Sequence, residues 1–284
     1  MSKTTTDAQN AFNKYGYYIE DNVYSLQEME DVFFTLYDIC LSFVKKNKYK
    51  FNNHFPDTSS LSYTNDMKVL DKILMEIFVK DKQLLGEVYD AFSYSLVFMR
   101  FLSNKKVESI SQELLGLDNK KALYGWTNRM RIDPPKDERR TYGWHQEIFY
   151  TLPHTRFLQT WCPMLRDTTI SNGTIEIKSG SHKEGIARQQ WNDIEGRATQ
   201  IIIDKDITDK YETIQLEMKV GQVLFFDGHL AHQSGHNSTK DEIRLSLVGM
   251  WNDVSHEGFR APLPSFESRT ISAKEYFAEK MKGT

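Results

Sequence analysis

Cysteine is nearly absent: the chain has two, Cys40 and Cys162, and neither belongs to a Cys-x-x-Cys pair. That argues against a thiolate zinc site and against a disulfide framework, and both residues read as buried thiols. An excess of charge of one sign is also missing. The 36 basic and 39 acidic residues leave a net charge of −3, which gives no support for nucleic acid or a membrane surface as the main partner. There is no long hydrophobic run. The most apolar stretch, 33–44, is interrupted by Asp38 and is too short to span a bilayer. Residues 1–10 are polar and lack the apolar centre of a secretory leader. These absences predict a protein of the reducing cytoplasm. No repeat or low-complexity segment is visible.

Aromatic residues are plentiful, with 17 Phe, 14 Tyr and 5 Trp, and 284 residues are ample for a hydrophobic core. The periodicity divides the chain. Residues 25–48 open on a capping box, Ser25-Leu-Gln-Glu28, and carry apolar residues at helical spacing: Leu26, Met29, Val32, Phe33, Leu36, Ile39, Cys40 and Phe43. Helices are also predicted over 66–78, 81–100 and 107–117, with a polar loop at 52–62. Beyond about residue 120, short apolar or alternating runs predict strands at 123–132, 141–147, 156–165, 174–177, 200–203, 214–218, 222–227 and 244–251. The expected fold class is α+β, mainly β: a helix-rich layer (1–120) on a sandwich or barrel (121–255), with a C-terminal extension (256–284), all as one domain.

Chemistry-bearing residues fall in the β-rich part. In a strand, residues i and i+2 share a face, so His145 and Glu147 of Trp144-His-Gln-Glu147 project together. One imidazole and one carboxylate suit a borderline divalent metal but do not complete a site. The segment Phe225-Phe-Asp-Gly-His229-Leu-Ala-His232-Gln-Ser234 supplies a third ligand, His232 or its rival His229. Arg244 stands twelve residues beyond His232 and is suited to bidentate carboxylate binding. Two histidines and a carboxylate with open positions form the facial triad of non-haem iron oxygenases.

The order of these segments resembles the phytanoyl-CoA dioxygenase-like branch of the Fe(II)/2-oxoglutarate oxygenases. The resemblance runs through Phe12-Asn-Lys-Tyr-Gly16-Tyr-Tyr-Ile19, which looks like the family's opening strand, and through Ser25-Leu-Gln-Glu-Met29, Pro134-Pro135 and Trp144–Glu147. It continues through Trp161-Cys-Pro-Met-Leu165, Ser171-Asn-Gly173, Ser179-Gly-Ser-His182, Gly221-Gln-Val-Leu-Phe-Phe226, His232-Gln-Ser234-Gly-His-Asn237 and Arg244-Leu-Ser246. It implies a double-stranded β-helix, a jelly-roll or cupin-like barrel, with Fe(II) held by His145, Glu147 and His232. It favours His232 over His229. It also implies 2-oxoglutarate and dioxygen as co-substrates. Arg244 would bind the distal carboxylate and Ser234 would hydrogen-bond beside it, with Trp161 against the co-substrate and Gln159 on the same strand face. Arg129 and Arg131, alternating before the Pro-Pro turn, are expected to face the substrate, and Phe149 to shape its pocket. His182, His236, Asp227, Arg166 and Arg188 read as turn, loop or solvated residues.

Two departures stand out. Glu147 occupies a position where most members have Asp, and Lys178 precedes Ser-Gly where the family usually has Pro. Related halogenases have a small residue in place of the carboxylate, so Glu147 favours hydroxylation or desaturation. The expected function is a dioxygenase hydroxylating a small polar or anionic metabolite or natural-product intermediate, without nucleic-acid or membrane partners. The alternatives are a non-catalytic metal-binding barrel or sensor and a cupin-like metalloenzyme that does not use 2-oxoglutarate.

Overall fold

The computed structural model describes residues 6–126, 128–139, 141–150, 156–195 and 199–260. Among the described residues, six α-helices precede every strand but the first. Helix α1 (Asp7–Tyr15) is closed at its start by a capping box between Thr6 and Gln9, and it ends at Gly16, whose φ is +83°. A side chain there would be strained, and its Cβ would lie 2.5 Å from His182 Nδ1, so only glycine fits. The edge strand β1 (Tyr17–Glu20) follows directly.

Helix α2 (Leu26–Lys46) begins where its sequence signal places it. Ser25 Oγ accepts the Glu28 amide, and the Glu28 carboxylate accepts the Ser25 amide. Its buried stripe, Met29, Val32, Phe33, Leu36, Tyr37, Cys40, Leu41 and Val44, recurs every three or four residues. Helices α3 (Met67–Lys80), α4 (Lys82–Ser93), α5 (Leu96–Leu102) and α6 (Lys105–Leu114) complete the layer. The single helix predicted over 81–100 is two, because Ser95 Oγ accepts the Phe98 amide at 3.1 Å and starts a new helix. No described helix is long and apolar enough to cross a membrane.

Ten more strands follow: β2 (Leu123–Gly125), β3 (Arg129–Asp133), β4 (Phe157–Pro163), β5 (Ile175–Lys178), β6 (Gln189–Asn192), β7 (Gln200–Ile203), β8 (Thr213–Leu216), β9 (Val223–Asp227), β10 (His232–Ser234) and β11 (Arg244–Asp253). They pair antiparallel. The main sheet runs β1-β9-β4-β11-β2, with β3 also on β11; a smaller sheet runs β10-β5-β8; β6 and β7 form a ribbon. Alternation along the central strands gives each face a different task. Leu158, Cys162, Val223, Phe225, Leu245 and Leu247 join the core under the helices. Trp161, Leu224, Phe226 and Val248 point the other way and meet Ile175, Ile177 and Leu216 of the smaller sheet. Burial on both faces explains why β4 is buried at every position.

The α+β, mainly antiparallel architecture is the one expected. Three local expectations are corrected. The strand predicted over 123–132 is two, β2 and β3, both paired with β11. Residues 141–147 do not form a strand: His145 makes one isolated bridge with His232, and Glu147 opens a 3-10 turn, Glu147–Phe149. The segment 12–19, read as an opening strand, is the end of α1, the Gly16 turn and β1. Of the anticipated extension 256–284, residues 261–284 lie outside the described residues.

Candidate metal centre

Tyr142, His145 and the start of β10 build the site without a regular ladder. Ser234 N–H donates to Tyr142 O at 3.0 Å, and His145 and His232 exchange backbone hydrogen bonds at 3.0 and 3.1 Å. Gln146 is extended (φ −114°, ψ 140°), so His145 and Glu147 still project to one side although the chain is not a strand. Glu147 Oε2 lies 3.7 Å from His145 Nε2 and 3.6 Å from His232 Nε2. One ligand atom from each residue falls within 4.8 Å of the others, and all three residues are buried.

The proton positions fit a cation at the centre of this group. His145 Nδ1 lies 2.7 Å from Gly143 O and His232 Nδ1 2.9 Å from Leu230 O. A carbonyl only accepts, so each Nδ1 carries the proton and each Nε2 presents a lone pair to the centre. Burial pushes the Glu147 carboxyl up, an Nε2 proton on His145 or His232 would hold it down, and a bound cation takes the place of that proton. Burial and the neighbouring His145 pull His232 towards its neutral form. Two neutral imidazoles and a carboxylate are the states a divalent metal needs.

Gln146, between two of these residues and fully buried, faces the other way. Its Nε2 donates to Gly185 O (2.8 Å) and His229 O (2.7 Å), and its Oε1 accepts the Ala187 amide (2.9 Å). One side chain thus ties the ligand segment to the loop after β5 and to the turn before His232.

The triad opens into a cavity of about 350 Å³ lined also by Arg129, Arg131, Asp133, Gln159, Trp161, Ser234 and Arg244. The structure therefore brings together every anticipated site residue but one. Phe149 does not line the cavity; it packs against the satellite cluster of Ala187, Ile203, Ile207 and Ala231. His229 is not part of the triad, and its Nδ1 pairs with Asp227 Oδ1 at 3.0 Å. Arg166 is half-buried and pairs with Asp71 of α3 at 2.6 Å, whereas Arg188 is exposed. Gln159 is buried, and its Oε1 has no hydrogen-bond partner among the described residues.

Sequence reading missed Asp133. Its carboxylate sits between two arginines, accepting from Arg244 Nε (3.2 Å) and Nη2 (2.8 Å) and from Arg131 Nε (3.3 Å) and Nη2 (3.0 Å). Burial pushes this carboxyl up, and the two guanidiniums hold it well below the usual range. The Arg131-Ile-Asp133 alternation, with Arg244 opening a partner strand, was the available signal. Tyr89 on α4 and Tyr142 and Tyr150 also line the cavity. Nothing in the helical pattern around Tyr89 marked it as different from a core aromatic.

A sequence profile of the phytanoyl-CoA dioxygenase (PhyH) family matches residues 12–246. The chain belongs to that family. It is accordingly a non-haem iron oxygenase that uses 2-oxoglutarate, and the His145, Glu147 and His232 cluster fits the metal. Solved structures of similar fold include EctD from S. alaskensis with 2-oxoglutarate and 5-hydroxyectoine (TM-score 0.58, 20% identity, 95% of this chain and 88% of that one). EvdO2 from Micromonospora carbonacea var. aurantiaca, complexed with 2-oxoglutarate, gives a TM-score of 0.54 at 17% identity, with 92% and 96% covered. The epimerase SnoN, in complex with Fe3+, alpha ketoglutarate and nogalamycin RO, gives 0.53 at 15%, with 87% and 83% covered. At these identities the likeness speaks for the oxygenase fold alone.

Proposed function

We propose that the oxygenase hydroxylates a small anionic or polar metabolite or natural-product intermediate, with iron held by His145, Glu147 and His232. The observation that carries this reading is the convergence of three lone-pair donors, two imidazoles with their Nδ1 protons directed elsewhere and one carboxylate, in the cavity that also holds Arg244. Bound there, iron supplies the activation of dioxygen coupled to conversion of 2-oxoglutarate to succinate and carbon dioxide. Arg244 and Ser234 bind the distal carboxylate of the co-substrate, Trp161 walls it in, and Gln159 presents its amide beside it. Trp161, Phe226 and Val248 keep bulk water from the reacting atoms. Glu147 fills the position that a halide would need, which favours hydroxylation or desaturation over halogenation.

The charge balance supports an anionic substrate. Three arginines and two carboxylates line the cavity. Arg129 and Arg131 share one face of β3 and line the cavity, and guanidiniums there suit an anionic or polar group of the substrate. The small ligands named with EctD and SnoN, 5-hydroxyectoine and nogalamycin RO, are consistent with a metabolite-sized occupant. The test is a succinate-release screen with Fe(II), 2-oxoglutarate and dioxygen across small carboxylates, phosphates, zwitterions and neutral compounds. Stimulation by anionic or polar compounds is expected; stimulation by neutral apolar compounds alone would overturn the substrate class.

A further inference from the structure

Arg244 is not waiting alone in the cavity wall. The first pair in the β3–β11 ladder is Asp133 opposite Arg244. Asp133 Oδ2 takes Arg244 Nε and Nη2 together, while Arg244 Nη1 donates to Gly235 O at 3.3 Å. A guanidinium has five N–H bonds. Three are spent on these contacts, which leaves one N–H on Nη1 and one on Nη2. Asp133 also steadies the segment that delivers Arg244. Its backbone carbonyl accepts Asn237 Nδ2 at 3.0 Å, and the same amide nitrogen donates to Glu242 O at 2.8 Å.

We propose that Asp133 is a positioning residue for the co-substrate: it occupies the side of the Arg244 guanidinium and leaves only the end for the distal carboxylate of 2-oxoglutarate. Arg131 holds the same carboxylate from the other side, its Nη2 on Oδ1 and its Nε on the shared Oδ2, so the direction of the Asp133 carboxylate is fixed. Asp133 and Arg244 are both buried, where losing one partner of an ion pair is strongly unfavourable. A clamp of fixed direction therefore selects a keto acid by the placement of its far end. This rests on Arg244 being the anchor for that end.

The experiment is an anaerobic calorimetric titration of the iron-loaded protein with two ligands, 2-oxoglutarate and 2-oxopentanoate, which carries a methyl group in place of the distal carboxylate. Asp133→Asn removes the charge, and Asp133→Glu keeps it but displaces the oxygens by a methylene. Both should bind 2-oxoglutarate about tenfold more weakly, a loss of about 1.4 kcal/mol, and bind 2-oxopentanoate as the parent does. The second ligand also certifies that the metal site and fold survive. If Asp133 only balances charge, Asp133→Glu will behave like the parent, and Asp133→Asn, with a negative charge removed beside Arg244, will bind the dianion more tightly; either result overturns the proposal. Arg244→Met separates the two readings. If it keeps the preference for 2-oxoglutarate, the anchor itself is wrong. If it loses the preference while both Asp133 variants keep it, only the clamp is wrong.

Discussion

The helical layer and the cavity wall are both buried, yet they are buried differently. Met29, Val32, Phe33 and Leu36 of α2 have no exposed surface and offer nothing but apolar contact. The wall buries Arg244, Asp133, Glu147, His145 and His232. Apolar burial stabilises by roughly 25 cal/mol per Å². Buried charged groups of comparable size contribute little or nothing net, and apolar replacements are often neutral or stabilising. The layer therefore holds the fold, and the wall is a concession in stability that makes sense only for a ligand.

The separation can be broken at either end. The largest effect is expected at the triad: His145→Ala or His232→Ala should lower succinate formation by more than about a hundredfold while leaving the thermal midpoint of the metal-free protein unchanged or raised. Next comes the layer. Leu36→Ala should destabilise by about 2–5 kcal/mol in denaturant unfolding, with the KM for 2-oxoglutarate unmoved. Arg244→Met should raise the 2-oxoglutarate requirement by roughly tenfold or more, with kcat at saturation much less affected. A KM shift in Leu36→Ala, or a purely stability-borne defect in Arg244→Met, would erase the distinction.

Acid sharpens the same contrast. The folded-state pKa of Asp133 lies below its ordinary value of 3.8, so its contribution to stability is complete above that value and is lost as pH falls towards the folded one. Asp133→Asn should flatten the acid side of the unfolding profile, whereas Leu36→Ala should shift the profile without changing its shape. Ser25→Ala, which removes the α2 cap, is the smallest effect: about 1 kcal/mol, read as a lower unfolding midpoint with unchanged kinetics.

Legibility in the sequence follows the same division. Helix α2 was readable because its cap and its apolar stripe agree, and α4 and α5 were fused because the break at Ser95 depends on one hydroxyl. Helix α1 is short and mostly polar, which hid it. The central strands β4, β9 and β11 were visible as apolar runs. The triad was legible as residue types at a spacing, but its mechanical basis was not: His145 and Glu147 share a side through the extended Gln146, not through a strand. Asp133 escaped because its role depends on a register between β3 and β11, a relation across 111 residues. Phe149 was misplaced for a related reason, since the 3-10 turn at Glu147 sends it to a different cluster.

The Gln146 amide has a consequence for how such an enzyme can diversify. Because one side chain bonds the loop at Gly185 and Ala187 and the turn at His229, that rim cannot drift independently of the ligand segment. Grafting a foreign loop over 180–187 would disturb iron retention before it altered selectivity. New specificities are more accessible to evolution or engineering through the β3 arginines, which Gln146 does not tether.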